Sequence, residues 1–262
     1  MKVILCHALL VLLVACGHVD KKKPKSEYNP TVSFSEDGKS YEAKVQFPQK
    51  FTDKLPLVVI VHEWWGRTPY VMNRSEMLKK EGYATLVVDL FGDSKTVATP
   101  NEAQALATPF YKNAQIGIDR LTKYINMAKK DPHVDASKVF VIGYCFGGTQ
   151  ALNYARSGAD IKGVVSFHGG LATTVPSKNI KANVLVFNGL ADPFVPAKER
   201  AAFEKEMKSS KAKYKTINYK GAKHAFSNPK ATEVGKKYNI PIAYNKNADE
   251  ASWKELLNFL KK

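Results

Sequence analysis

The chain has 262 residues, 44% hydrophobic and 24% charged, which is ordinary globular usage and excludes a disordered, collagenous or disulfide-stapled protein. The formal charge is +16, yet of the 40 Lys and Arg residues only Arg67, Arg74, Arg120, Arg156 and Arg200 are Arg. Nucleic-acid readers depend on the planar guanidinium fork, and no helix-turn-helix, zinc-finger or aromatic–basic motif occurs, so no nucleic-acid partner is expected. The lysines read as a solvated surface, with a weaker attraction to anionic lipid or cell-wall polymer as the alternative.

Residues 1–16, MKVILCHALLVLLVAC, place a positive Lys2 before a short apolar stretch interrupted only by His7. That stretch is too short for a comfortable membrane span and fits an export signal. It ends in Leu13-Val14-Ala15-Cys16 followed by Gly17, which resembles the bacterial lipobox, where the leader is cut before a Cys whose sulfur carries diacylglycerol. Cys16 is therefore the expected lipidation site. A polar segment, Asp20-Lys21-Lys22-Lys23-Pro24-Lys25-Ser26, follows as a tether. The organisation expected is a signal peptide over 1–15, a lipidated Cys and linker over 16–26, and one domain over 27–262, exported and held on the membrane of a bacterial cell envelope.

Residues 31–36 and 40–47 alternate apolar and polar around Asp37-Gly38, a hairpin signal. Residues 57–61 are a continuous apolar run and predict a buried central strand. A helix is predicted over 70–81, closed by Gly82, and a strand over 84–88. Residues 101–130 carry helical spacing as one long stretch. Strand 139–142, helix 149–156, strands 164–167 and 184–187, helix 197–208, strand 214–219 and an amphipathic helix over 248–261 complete the chain. Strands that alternate with helices predict an α/β fold: a mostly parallel sheet covered on both faces, with the hairpin antiparallel at one edge. In such sheets sites lie beyond the carboxyl ends of the strands.

Strand 139–142 runs into Gly143-Tyr144-Cys145-Phe146-Gly147-Gly148. Gly-x-Cys-x-Gly between a strand and a helix is the nucleophile-elbow pattern with Cys in place of Ser. It sets the sulfur at a helix N-terminus, where the dipole favours a thiolate, and aims the Phe146 N–H at a forming oxyanion. With Cys6 in the leader and Cys16 reserved for lipid, Cys145 is the one thiol of the body and has no resolving partner, which disfavours a redox role. Asp192 follows strand 184–187, and His224 follows strand 214–219, in the nucleophile–acid–histidine order of elbow enzymes. After the first central strand stands His62-Glu63-Trp64-Trp65-Gly66, where Trp64 would give the second oxyanion N–H and Glu63 would sit beside the sulfur. His168, after strand 164–167, reads as a packing or supporting residue. No residues have metal-ligand spacing and no dinucleotide fingerprint follows the first strand, so no metal or cofactor is expected.

The set His62-Glu63-Trp64-Trp65-Gly66, Gly82-Tyr83-Ala84, Asp89-Leu90-Phe91-Gly92, Gly143-Tyr144-Cys145-Phe146-Gly147-Gly148, Asp192-Pro193-Phe194-Val195 and His224-Ala225-Phe226 resembles the dienelactone hydrolase family of α/β-hydrolases. The resemblance implies Cys145 as nucleophile, His224 as base, Asp192 as orienter, and Glu63 paired with the resting thiol until substrate displaces it. It implies a hydrolase for a small ester or lactone. The best-known members hold a substrate carboxylate with Arg residues, and the matching positions here read Phe91-Gly92-Asp93-Ser94 and Phe226-Ser227-Asn228-Pro229, without Arg; Lys95 or Lys223 are the cations left to replace them. Residues 227–247, with Tyr238, Pro241 and Tyr244, read as a variant cap near the site. The competing reading is a non-catalytic envelope binding protein on a hydrolase scaffold, against which the intact set of Cys145, Asp192, His224 and Glu63 speaks.

Overall fold

The computed structural model describes residues 28–177 and 179–261; the leader, Cys16 and the tether lie outside them. The hairpin forms as read: β1 (Thr31–Glu36) and β2 (Lys39–Gln46) pair antiparallel across Asp37 and Gly38, both at positive φ. The apolar runs become β3 (Leu55–Val61) and β4 (Ala84–Val88), separated by helix α1 (Pro69–Lys80). Later come β5 (Val134–Tyr144), β6 (Gly163–Phe167), β7 (Asn183–Gly189) and β8 (Tyr214–Tyr219). Together they make one eight-stranded sheet in the order β1-β2-β4-β3-β5-β6-β7-β8, parallel from β4 to β8.

The central strands are mostly apolar where both faces are covered. On one face β3, β4 and β5 pack Val59, Leu86 and Val141 against helices that follow β4, β5 and β7. On the other, Ile60, Val87 and Ile142 meet Val71 and Leu78 of α1 and, from the C-terminal helix, Leu256 and Leu260. Such two-sided burial gives no period-2 signal, but its length and bounding turns still mark it as strand.

Residues 101–130 are two helices rather than one: α2 (Pro100–Lys112) and α3 (Gln115–Ala128). Asn113 adopts an extended conformation between them, and its side-chain oxygen accepts the N–H of Gln115. An Asn side chain that satisfies a nearby backbone N–H competes with helix continuation. Helix α4 (Phe146–Arg156) starts three residues earlier than read, directly from the elbow. Helix α5 (Ala197–Ser209) precedes β8, and α7 (Lys246–Leu260) ends the described chain. Between β8 and α7, residues 227–247 hold the short helix α6 (Ala231–Tyr238), then return so that Ile242 bridges to His224 and the N–H of Ala243 reaches the His224 carbonyl at 3.2 Å.

Candidate active site

The carboxyl ends of β5, β7 and β8 bring three residues, far apart in sequence, into one line. Cys145 sits between β5 and α4 at φ 54° and ψ −119°, a backbone conformation that costs of order 1–3 kcal/mol and persists only where the surroundings impose it. The surroundings do impose it. The Cys145 N–H donates to the Phe167 carbonyl at 3.0 Å and to Nδ1 of His168 at 3.1 Å, which ties the bend to the end of β6. The turn is tight enough that a Cβ on Gly147 would lie 2.3 Å from the Val61 carbonyl oxygen, and one on Gly143 would lie 2.0 Å from the Gly147 oxygen.

The Sγ of Cys145 is 3.0 Å from Nε2 of His224. On the other side of the ring, Nδ1–H donates to Oδ2 of Asp192 at 2.8 Å. Asp192 is itself fixed by the Phe194 N–H, which donates to its Oδ1 at 2.8 Å. Asp192 and His224 are buried, 4% and 9% exposed, so their interactions are little weakened by solvent. Burial alone would hold the imidazole neutral, but the Cys145 sulfur and the Asp192 carboxylate outweigh it and raise the His224 pKa to about 10. The geometry therefore favours a protonated imidazole held between the sulfur and the Asp192 carboxylate.

Glu63 is buried at the head of the loop after β3. Burial raises its carboxyl to about 7, against the opposing pull of the Asn228 hydrogen bond and the charges of His224 and Arg74. Asn228 Nδ2–H donates to Glu63 Oε2 at 2.8 Å. The implied pairing of Glu63 with a resting thiol is thus not the arrangement seen: the sulfur is on His224 and Glu63 is on Asn228. The physical reason is that each already has a better-placed partner supplied by the β8–α7 connection.

The loop that carries Glu63 is held from below by His62. Its Nδ1–H donates to the Glu63 carbonyl at 2.6 Å and its Nε2 accepts the Leu90 N–H at 3.3 Å. Burial holds His62 down at about 4, so the ring stays neutral and makes both bonds. The Glu63 carbonyl also accepts the Gly66 N–H at 3.1 Å, which makes a tight turn over Trp64. Trp64 and Phe146 face the same cavity as Cys145. Phe146 is the first residue of α4, so its N–H has no intrahelical acceptor.

The cavity has a volume of about 340 Å³ and is lined by Cys145, His224, Glu63, Trp64 and Phe146, with Trp65, Tyr111, Phe194, Glu199 and Asn228 beside them. Ala231, Val234, Ile240 and Ile242 close it from the 227–247 segment. Lys95 and Lys223 are not among its lining residues. Asp89, singled out by the motif, serves the backbone: its carboxylate accepts the N–H groups of Phe91, Gly92 and Ser94.

The supporting role expected for His168 takes a specific form, and further contributors have no counterpart in the motifs. His168 is fully buried; Nδ1 takes the Cys145 N–H and Nε2–H donates to Ser227 Oγ at 2.7 Å, which also bonds the Tyr70 hydroxyl at 2.7 Å. Arg74 on α1 donates to the Ser227 carbonyl at 2.6 Å and pairs with Asp249 on α7. Tyr111 and Glu199 reach the cavity from α2 and α5. Arg74, Tyr111 and Glu199 lie on helices outside any recognisable motif, so chain order carries no signal for them. Among the described residues no group of three or more His, Cys, Asp or Glu is placed to hold a metal.

A model of the dienelactone hydrolase family matches residues 42–262. The chain belongs to the dienelactone hydrolase family. It is thereby a hydrolase of the ester- and lactone-cleaving type. Among its relatives, the protein usf of Aquifex pyrophilus is 29% identical over 185 residues, covering 68% of this chain and 80% of that one. Carboxymethylenebutenolidase 1 of Cupriavidus pinatubonensis is 29% identical over 171 residues, 61% of this chain and 71% of that one. The crystal structure of a dienelactone hydrolase-like promiscuous phosphotriesterase from metagenomic libraries superposes with a TM-score of 0.82 at 26% identity, covering 89% of this chain and 97% of that one.

Proposed function

We propose that this protein cleaves a carboxylic ester or lactone by nucleophilic catalysis through Cys145, His224 and Asp192, with a thioester intermediate on Cys145. The observation that carries the reading is the unbroken line from sulfur to imidazole to carboxylate, 3.0 and 2.8 Å, at the floor of a cavity large enough for a small acyl group. The thiolate attacks the carbonyl carbon and its electron pair forms the C–S bond. The oxyanion is met by the N–H groups of Phe146 and Trp64. As the tetrahedral carbon collapses, the C–O bond to the leaving group breaks and His224 gives that oxygen its proton. Neutral His224 then takes a proton from water, the hydroxide displaces the thiolate, and the free acid leaves. Asp192 holds the ring in the required tautomer throughout. Glu63 adds to the same cavity a carboxyl that burial raises to about 7, held by Asn228.

The relative named carboxymethylenebutenolidase supports a small lactone as one candidate substrate. The expected setting is the bacterial envelope, with the domain on a lipid at Cys16; Cys16→Ala should move the protein from the membrane to the soluble fraction, and an unchanged distribution would refute the anchor. The catalytic reading is tested by an activated ester and lactone panel. Turnover should fall to background in Cys145→Ala while the circular dichroism spectrum and melting temperature stay near wild type. Undiminished turnover in that variant would refute it.

A further inference from the structure

The walls of the cavity have a charge character that the catalytic line does not explain. Besides the reacting residues, the charged groups that face it are the carboxylates of Glu63 and Glu199; among the described residues no Lys or Arg lines it. Glu199 is fixed there. Its Oε1 accepts the N–H groups of Leu171 and Ala172 at 2.5 and 3.0 Å, and it stands in the first turn of α5, where the helix dipole favours an anion. The remaining polar groups, on Gln104, Tyr111, Thr149 and Asn228, are neutral. Lys230 and Lys237 belong to the cap but line a second cavity, which shares Glu63, Trp65, Asn228 and Val234 with the first. The rest of the wall is apolar: Trp64, Phe146, Phe194, Val234, Ile240 and Ile242.

Taking the acyl-transfer reading as given, we infer that the cavity selects an uncharged, apolar acyl group and turns away one that bears a carboxylate. A carboxylate drawn into this space loses water and finds no cation to replace it except His224, whose charge is already answered by Asp192 and the sulfur. It would also face the fixed Glu199 carboxylate in a medium of reduced dielectric. An alkyl or aryl chain meets neither cost and gains from leaving water against the aromatic and aliphatic wall. Selection here is by repulsion and unmatched desolvation as much as by attraction.

The test separates pocket charge from catalysis. The full chain is treated with two iodoacetamides of the same warhead, one N-pentyl and one N-(4-carboxybutyl), and alkylation of the Cys145 peptide is timed by mass spectrometry. The N-pentyl reagent should react at least threefold faster, and Glu199→Gln, which keeps an oxygen for the two N–H groups, should shrink that ratio. A ratio below three, or one unchanged in Glu199→Gln, overturns the inference. In parallel, kcat/KM is compared for the hexanoate and adipate monoesters of one phenol, which differ only by a terminal methyl or carboxylate. If the alkylation preference holds but neither ester is cleaved, the acyl-transfer reading fails and the charge selection stands.

Discussion

At the scale of single residues, the roles proposed for Cys145, His224 and Asp192 rest on position rather than on residue type. The sulfur takes its place from a strained bend, the imidazole takes its tautomer from Asp192, and the carboxylate takes its orientation from the Phe194 N–H. Asp192→Asn should therefore leave stability almost unchanged and lower kcat by roughly 10³–10⁴, the loss seen when an orienting carboxylate is replaced and the wrong tautomer results. Steady-state assays of the purified variant read this directly, and a loss under tenfold would contradict it. Glu63 makes a prediction of a different kind. Its folded pKa, about 7, lies above its unfolded value, so the folded chain binds the proton more tightly. Its contribution to stability is full below about pH 4.5 and is lost as pH rises through 7, an effect of about 3 kcal/mol by linkage. Glu63→Gln should be more stable than wild type at pH 8, with the gap closing at low pH, in denaturant titrations at both values. The catalytic candidates were legible because each lies just past a strand end. Glu199, Tyr111 and Asn228 were not, because they enter the cavity from helices and a cap whose approach is set by tertiary packing.

At the scale of elements, the elbow and the cap depend on contacts that chain order hides. Gly147 lies against the end of β3, and Gly147→Ala would drive a Cβ to 2.3 Å from the Val61 carbonyl, with the His62 carbonyl close behind. Neither neighbour is a flexible side chain, so the bend itself must move. The expected cost is about 1–3 kcal/mol with a large fall in turnover, read by melting and ester assay. The cap is anchored by α1. Arg74 of α1, 4% exposed, holds both the Ser227 carbonyl and Asp249 of α7. Arg74→Met leaves a buried carboxylate unpaired and should cost about 3 kcal/mol in urea unfolding, whereas Arg74→Met with Asp249→Leu should recover part of that loss. The strands and most helices followed from apolar run length and caps. The break at Asn113 did not, because periodic apolar spacing continues across it while a single side-chain bond redirects the backbone. A supporting role for His168 was legible from its place after β6, but not which atom it supports: its Nδ1 takes the Cys145 N–H.

At the scale of the whole molecule, the sheet order puts the hairpin at one edge and the reactive ends of β5, β7 and β8 on a common rim, so a single cavity can gather residues from 63 to 242. The parallel order was readable from alternation of strands and helices; 227–247 was readable as a cap near the site, but the residues that close the cavity are Ala231, Val234, Ile240 and Ile242 rather than Tyr238, Pro241 and Tyr244. The charge of +16 belongs to the lysine-rich surface, and the cavity shows the opposite bias, with two carboxylates and no lysine among its lining residues. Net charge therefore describes how the molecule meets its surroundings, while selection of substrate is local.

The central claim is that the Cys145 sulfur becomes covalently acylated during turnover. Rapid acid quench after mixing the protein with an activated ester, followed by peptide mass spectrometry, should find the acyl mass on the peptide that contains Cys145 and should find it accumulate in His224→Ala if that variant still acylates. An acyl group on any other residue, or turnover with Cys145 unmodified at every time point and retained in Cys145→Ala, would contradict the account.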